Sequence, residues 1–335
     1  MGTRSSKYEL ARIAAAFVII LNHIDPGAAS QAGSGVVRVN TLLTDLFHMG
    51  GKFGVNLFVI IGAWFLCEQP FKARRIWTIL RQVIVYAVLL NVVTWGINGK
   101  MQTVPEFLHA FTYWFPFAYI VMLLATPLLN RICANEKTHN GFLAAGALFF
   151  GTFFLLRFLV RENRILSLLN LEHVIGPVWF SFLYLVTAKV KKAGLNRPSR
   201  RYLWLSLAAA GYLLMLLLTK LLRNTAVRDM YSPLCALSAM SLFFFFDSLR
   251  MKNSRAVNLL ASATFGTYLF QCHYHFAPIL RQFFNYPHWL PSPFYVPYCL
   301  GTAALIFAAA FCITQLINLS GEAEKKYLLS RGGRT

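Results

Sequence analysis

Charge is what this chain has least of. Across 335 residues, Asp, Glu, Lys and Arg make up 13%, about half the share of a soluble globular domain. Acidic side chains are the scarcest: twelve Asp and Glu stand against thirty-two Lys and Arg, a formal net charge of +20. The six cysteines, Cys67, Cys133, Cys235, Cys272, Cys299 and Cys312, form no Cys-x-x-Cys pair and no metal-ligand spacing. That argues against a disulfide framework and against a zinc site. No Gly-x-Ser-x-Gly elbow, phosphate-binding glycine loop or His-Glu-x-x-His occurs, so the common hydrolase, nucleotide and metalloprotease signatures are absent. There is no repeat and no low-complexity tract, and the longest polar stretches have only the length of loops.

Apolar residues fill the space, at 57% of the sequence, with a mean hydropathy of +0.53. Apolar runs of roughly 17 to 25 residues recur, the length a helix needs to cross a bilayer. Ten such spans are predicted, near 8–25, 53–69, 76–97, 107–129, 141–160, 174–190, 202–222, 232–249, 257–280 and 294–318. The expected fold is all-α: a polytopic membrane protein in which 1–335 form one membrane domain and 319–335 a short cytoplasmic tail. The basic start, the apolar run and Ala28-Ala29-Ser30 imitate a secretory signal. Glu9 and Arg12 inside the run argue for a retained first helix.

With the N-terminus placed inside, the inner segments hold twenty of the Lys and Arg residues and the outer segments ten, with Arg12 and Arg81 inside spans. This bias favours both termini in the cytoplasm of a multi-pass cell-membrane (plasma or inner-membrane) protein. The inner clusters suit anionic lipid headgroups, so nucleic acid is not the expected partner of the positive charge. Two outer clusters, Arg157 to Arg164 and Lys220 to Arg228, run against the bias. Either they meet an anionic partner outside, or the fifth to eighth spans are misplaced.

The first span carries the sharpest signal. It reads Tyr8-Glu9-Leu10-Ala11-Arg12 and continues, almost wholly apolar, to Asn22-His23. Arg12 and His23 are eleven positions apart, close to three helical turns, so they share a face about 16 Å apart along the axis. Ionisable groups at membrane depth cost several kcal/mol unless they face a polar cavity. Snorkelling at the two helix ends is the plain alternative. Two such groups on one face, with Glu9 one turn before Arg12, favour a site.

Glu9-x-x-Arg12 followed by His23 resembles the first-helix signature of the acyltransferase 3 family of integral membrane acyltransferases. Phe53-Gly54-Val55-Asn56-Leu57-Phe58-Val59-Ile60-Ile61-Gly62-Ala63-Trp64 is similar to that family's second-helix motif. Tyr113-Trp114-Phe115 with Tyr119, then Pro127-Leu128-Leu129-Asn130, resembles its fourth-span pattern, and Phe265-Gly266-Thr267-Tyr268-Leu269 its penultimate-helix motif. The likeness runs from about residue 7 to 285. Three positions depart from it: Gly62 stands at the usual Ser, Gln271 where a His often follows Tyr-Leu, and Asn56 at a position often acidic.

The resemblance implies transfer of an acyl group from cytoplasmic acyl-CoA, most simply acetyl-CoA, to a hydroxyl presented on the outer side, without a metal. The expected acceptor is a glycan or lipid-linked saccharide of the cell envelope. The chemistry suits the residues. Thioester-to-hydroxyl transfer needs a base that is neutral near pH 7, and histidine is the usual one. His23 is the expected base, with Arg12 on the donor's phosphate or pantetheine end and Glu9 orienting it. Lys72, Arg74 and Arg75 join Arg12 as candidates for the donor, and Lys52, Asn56, Tyr113, Trp114 and His273 as candidates for the acceptor. Asn56 also suits interhelical bonding, and Tyr113, Trp114 and Tyr119 suit an interfacial belt. His48, His109, His139 and His288 read as loop residues. A succinyl donor or a small hydroxylated acceptor would fit the same fold, and a transporter or sensor would use a buried Arg and His differently.

Overall fold

The computed structural model describes residues 5–27, 35–109, 111–160, 171–196 and 198–332, with the side chains of 171–173 and 321–332 outside that description. Arg161 and Arg164 of the first outer basic cluster therefore lie outside the described residues, as do the side chains of the tail beyond 320. The described chain is helical, with no strand. In order the helices are α1 Ser6–Asn22, α2 Val36–His48, α3 Gly50–Leu66, α4 Ala73–Asn98, α5 Val104–His109, α6 Trp114–Ala134, α7 Glu136–Leu159 and α8 Leu171–Ala193. There follow α9 Arg201–Leu222, α10 Pro233–Ser248, α11 Arg255–Ala261, α12 Thr264–Gln271, α13 Phe276–Phe284, α14 Tyr286–Trp289 and α15 Tyr295–Gly332.

Eight of the described stretches are long and apolar enough to cross a membrane. The chain is an all-α polytopic membrane protein. Seven of the ten expected spans coincide with a helix to within a few residues; the last, expected over 294–318, continues as helix to Gly332, and two are less regular than expected. The span expected over 107–129 begins only at Trp114, behind the short helix α5. Thr103 caps that helix, giving its backbone N–H at 2.8 Å and its hydroxyl at 2.9 Å to one oxygen of Glu106; these bonds hold the Glu106 carboxyl below its usual range. The span expected over 257–280 breaks into α11, α12 and α13. The hydroxyls of Ser262 and Thr264 turn back onto the carbonyls of Leu259 and Ala261, and His273 Nδ1 accepts the Phe276 N–H at 3.2 Å, closing the start of α13.

The helix α2 was not expected at all. It runs almost unbroken into α3, because Met49 between them keeps right-handed helical angles, φ −71° and ψ −21°. Together they make 31 residues, well beyond the ~20 that a hydrocarbon core needs. The upper part of this helix stands at the bundle end away from Ser6 and carries His48 there.

The core is built around α3, of which thirteen of seventeen residues are buried, among them Leu57, Ile60 and Ile61. It packs on α1, α8 and α10. Small residues set its distance from α1: a Cβ on Gly50 would lie 2.6 Å from the Val18 carbonyl oxygen, and one on Gly54 2.7 Å from Ile19 Cγ1. Close helix approach through small residues is how membrane helices gain contact where lipid supplies no hydrophobic drive. On the outside, α7 buries only His139 and Phe150 and leaves Leu148, Phe149 and Leu155 exposed. Such a surface belongs against acyl chains. His139 is on this helix and buried, with its Nε2 at 3.0 Å from the Leu185 carbonyl, rather than in a loop.

The foot of α1 is tied down by polar groups. Asp247 of α10 accepts from Tyr8 at 2.5 Å, from Lys7 at 3.0 Å and from Asn196 at 2.6 Å. These bonds fix the rotation of α1, and hence the face on which Arg12 and His23 lie.

Candidate active site

Three cavities lie along that face of α1, each sharing wall residues with the next. The first, at the foot, is about 690 Å³ and is lined by Tyr8, Glu9, Arg12, Gln69, Arg75 and Tyr119 among others. The second, about 360 Å³, shares Arg12, Gly62, Thr78, Ile79 and Tyr119 with it and adds Phe58, Gln82, Phe115 and Phe265. The third, about 270 Å³, shares Ile19, Val55 and Tyr268 with the second and opens around His23 and His48. Helical spacing creates the line. Lys52, Val55, Phe58 and Gly62 recur every three or four residues on α3, as Arg75, Thr78, Ile79 and Gln82 do on α4, so each helix presents one stripe.

Arg12 sits where the first and second cavities meet. Its guanidinium is 2.5 Å from the Glu9 carboxylate, which is almost wholly buried. Glu9 lines only the first cavity, so it holds the guanidinium from the foot and leaves the other face toward the second cavity. Of the other cations expected there, Arg75 lines the first cavity and donates to the Pro70 carbonyl at 3.1 Å. Lys72 and Arg74 are exposed outside the described cavities.

At the far end, His23 closes α1. Its Nδ1 is 2.7 Å from the Ile19 carbonyl oxygen. A carbonyl only accepts, so Nδ1 carries the proton and Nε2 keeps its lone pair. Nε2 lies 3.5 Å from the Cys272 thiol. Asp25 does not approach the imidazole; it accepts from the Gly27 N–H at 2.8 Å and closes the turn after α1.

Of the residues expected to meet the acceptor, the structure brings two to this cavity. Lys52 holds its ammonium 4.2 Å from the centre of the Trp114 ring, and both line the wall. The other three are packing residues. Asn56 is fully buried, donating to Met230 O at 3.0 Å and accepting from Trp179 Nε1 at 2.9 Å, which ties α3 to α8 and to the turn before α10. Tyr113 is buried and donates to Leu269 O at 3.0 Å. His273 is fully buried, with Nε2 toward Ala87 O at 3.4 Å and Nδ1 used in capping α13. Both its nitrogens are spent, and it lines none of the described cavities.

Four residues not foreseen complete the far cavity: His48, Arg157, Arg228 and Asp229. Arg157 and Arg228 belong to the outer basic clusters whose position was anomalous. Since the spans lie where expected, that anomaly was the signal that pointed to them. Tyr119, read from the sequence as an interfacial belt residue, lines the first and second cavities instead; Gln82 was not assigned a role, and its Oε1 is buried without a hydrogen-bond partner among the described residues.

A family model described as an acyltransferase domain matches residues 6–311, nearly the whole chain and all of the cavity-lining helices. The chain belongs to the acyltransferase 3 family. No curated protein and no solved structure matches it. As a membrane acyltransferase of this family it has one departure that the structure explains. Gly62 stands where the family usually has Ser, and a Cβ there would collide with the Tyr119 hydroxyl. In this acyltransferase Tyr119 puts a hydroxyl into the space that a serine side chain would enter. Gly62→Ser is therefore expected to lower stability by about 1–3 kcal/mol through overpacking. Adding Tyr119→Phe should recover most of that loss in thermal unfolding of the lipid-embedded protein.

Proposed function

We propose that the protein is an O-acyltransferase of the cell membrane. It moves an acyl group, in the first instance acetyl, from cytoplasmic acyl-CoA to a hydroxyl of an extracytoplasmic glycan or lipid-linked saccharide. The single observation that carries this reading is the run of three wall-sharing cavities from Arg12 and Arg75 to His23. The foot of α1 is taken as cytoplasmic, because the segments at that end hold the excess of Lys and Arg.

The cavities match the parts of the donor in order. Cations at the foot suit phosphate groups. The second cavity is mostly apolar, as an extended pantetheine arm requires, and the orphaned Gln82 Oε1 suits one of the arm's amide N–H groups. The thioester then reaches His23. The acceptor hydroxyl gives its proton to His23 Nε2 as its oxygen attacks the thioester carbonyl. The carbon–sulfur bond breaks, and the leaving thiolate takes the proton back from the imidazolium. Nδ1, bonded to the Ile19 carbonyl, keeps the ring in the required tautomer throughout.

Purified protein in lipid, given acetyl-CoA and a crude envelope extract, is expected to release free thiol only when the extract is present. Mass analysis of the extract then identifies the acylated product. No release with acetyl-, succinyl- or longer acyl-CoA from well-folded protein would overturn the reading.

A further inference from the structure

Acyl transfer builds negative charge on the thioester oxygen as the hydroxyl attacks, and a base does nothing for that charge. Acyl-transfer sites meet it with an N–H group held ready beside the carbonyl. The helix α1 reaches the far cavity with its C-terminal end, where a helix presents carbonyls rather than N–H groups. A donor contributed by this helix therefore has to be a side chain, and Asn22 has one. Ile19, Asn22 and His23 stand at helical spacings of three and four, and all three line the far cavity. The Asn22 side chain is half-buried, and its amide forms no hydrogen bond with any described residue. Gly51, on the same wall, makes room for it. A Cβ at Gly51 would lie 2.5 Å from Cγ and Oδ1 of Asn22 and 2.6 Å from its Nδ2, and these are the three atoms nearest to it. The glycine is thus where the amide rests against α3.

We propose that Asn22 is a further catalytic residue, whose Nδ2–H holds the oxyanion of the tetrahedral intermediate, with Gly51 as the positioning residue that seats the amide. The proposal rests on the reading of His23 as the base and adds the group that stabilises the charge formed when the base acts. His23 Nε2 takes the hydroxyl proton, the new carbon–oxygen bond forms, and the carbonyl π electrons move onto the oxygen facing Asn22. When that oxygen re-forms the double bond, the carbon–sulfur bond breaks, and the thiolate leaves with the proton of the imidazolium. The amide is unchanged at the end. A neutral donor suits this place. It stabilises the oxyanion as charge develops, whereas a cation there would also weaken the basicity of the adjacent imidazole. Base and donor are consecutive residues, so the seating of α1 on α3 fixes both at once.

The test uses the full chain in lipid with acetyl-CoA and envelope extract, and reads kcat and KM from thiol release. Asn22→Ala is expected to lower kcat about a hundredfold to a thousandfold, the range for loss of one oxyanion donor. KM for acetyl-CoA should stay nearly unchanged, because the bond is made only as charge develops. Asn22→Asp keeps the shape and an acceptor oxygen but has no N–H. Assayed above about pH 7, where a carboxylate is ionised, it should fall as far as Asn22→Ala. Gly51→Ala pushes the amide aside and should lower kcat by itself, yet take nothing further from Asn22→Ala. A glycine needed only for helix packing would add its own loss in both backgrounds. Thermal unfolding of each variant separates lost chemistry from lost fold, and Gly51→Ala decides the matter should neither Asn22 variant fold. A kcat near wild type in Asn22→Ala or in Gly51→Ala would overturn the inference while wild-type transfer upheld the acyltransferase reading. So would Asn22→Asp at the wild-type rate, which would make the side chain an acceptor that orients the hydroxyl. No thiol release by the wild type would instead strike the reading on which the inference rests.

Discussion

Replacing His23 by alanine is expected to lower acyl transfer by about two to four orders of magnitude, the range that a positioned general base contributes. Among the described residues that line the far cavity, His48 and Asp229 are the other groups that could accept a proton. His48 has its Nε2 on the Ile24 carbonyl at 2.9 Å and its lone pair therefore on Nδ1, so His48→Ala run alongside is the control and is expected to cost far less than His23→Ala. Asp229 is occupied by Arg157. The fold should survive, because His23 lies open to the cavity and contributes one cap to the end of α1. A single hydrogen bond of this kind is typically worth about 1 kcal/mol, so loss of activity and loss of protein are separable by comparing thermal unfolding of the two forms. The nearby thiol offers a control. Cys272→Ala removes the group 3.5 Å from Nε2 and should leave transfer standing if the hydroxyl attacks the thioester directly. A loss as deep as that of His23→Ala would move the chemistry to an acyl-thiol step and sink direct attack.

Much of the fold was legible because a bilayer imposes a length. The runs ending near Leu66, Asn98, Leu222 and Ser248 had only one way to bury twenty apolar residues, and the helices follow them closely. What was lost is what that length does not control. The helix α2 has only thirteen residues, in an amphipathic pattern that keeps Asn40 and Thr44 buried and leaves Val39 and Leu42 exposed. Hydropathy averaged over a span length cannot register it. The break between α11 and α12 depends on two hydroxyls turning onto carbonyls, a choice of hydrogen bond rather than of hydrophobicity.

The site divides in the same way. Arg12 and His23 were readable because both lie on one helix, where spacing fixes direction. Trp114 was placed by motif and Lys52 by standing next to one, and they meet across two helices. Arg157, Arg228 and His48 come from three separate parts of the chain, and no spacing relates them. Only the charge bias marked the first two. His273 shows the converse: a histidine beside a motif at a helix end invites a functional reading, yet its two nitrogens are consumed by Ala87 and Phe276. Burial and partners decide such cases, and neither is written in one dimension.

Arg12→Ala is expected to raise KM for acyl-CoA by about tenfold to a hundredfold, as loss of hydrogen bonds to a charged group does. The guanidinium stands at the meeting of the first and second cavities, where a donor passing from the foot toward His23 must turn from its phosphates to its pantetheine arm. Arg12→Lys keeps the charge but loses the planar fork, so it should fall between the two. The partner residue separates binding from support. Glu9→Gln keeps a group able to accept from Arg12 while removing the ion pair, so its effect on KM should be smaller than that of Arg12→Ala. The alanine change also leaves the almost wholly buried Glu9 carboxylate without its cation, and an abandoned buried charge destabilises. The double variant, Glu9→Gln with Arg12→Ala, takes that cost away. If stability returns in the double variant while KM stays high, Arg12 holds the donor and Glu9 holds Arg12. A KM that returns together with stability would reduce both residues to a structural pair, and the donor's path would then have to be anchored by Arg75 alone.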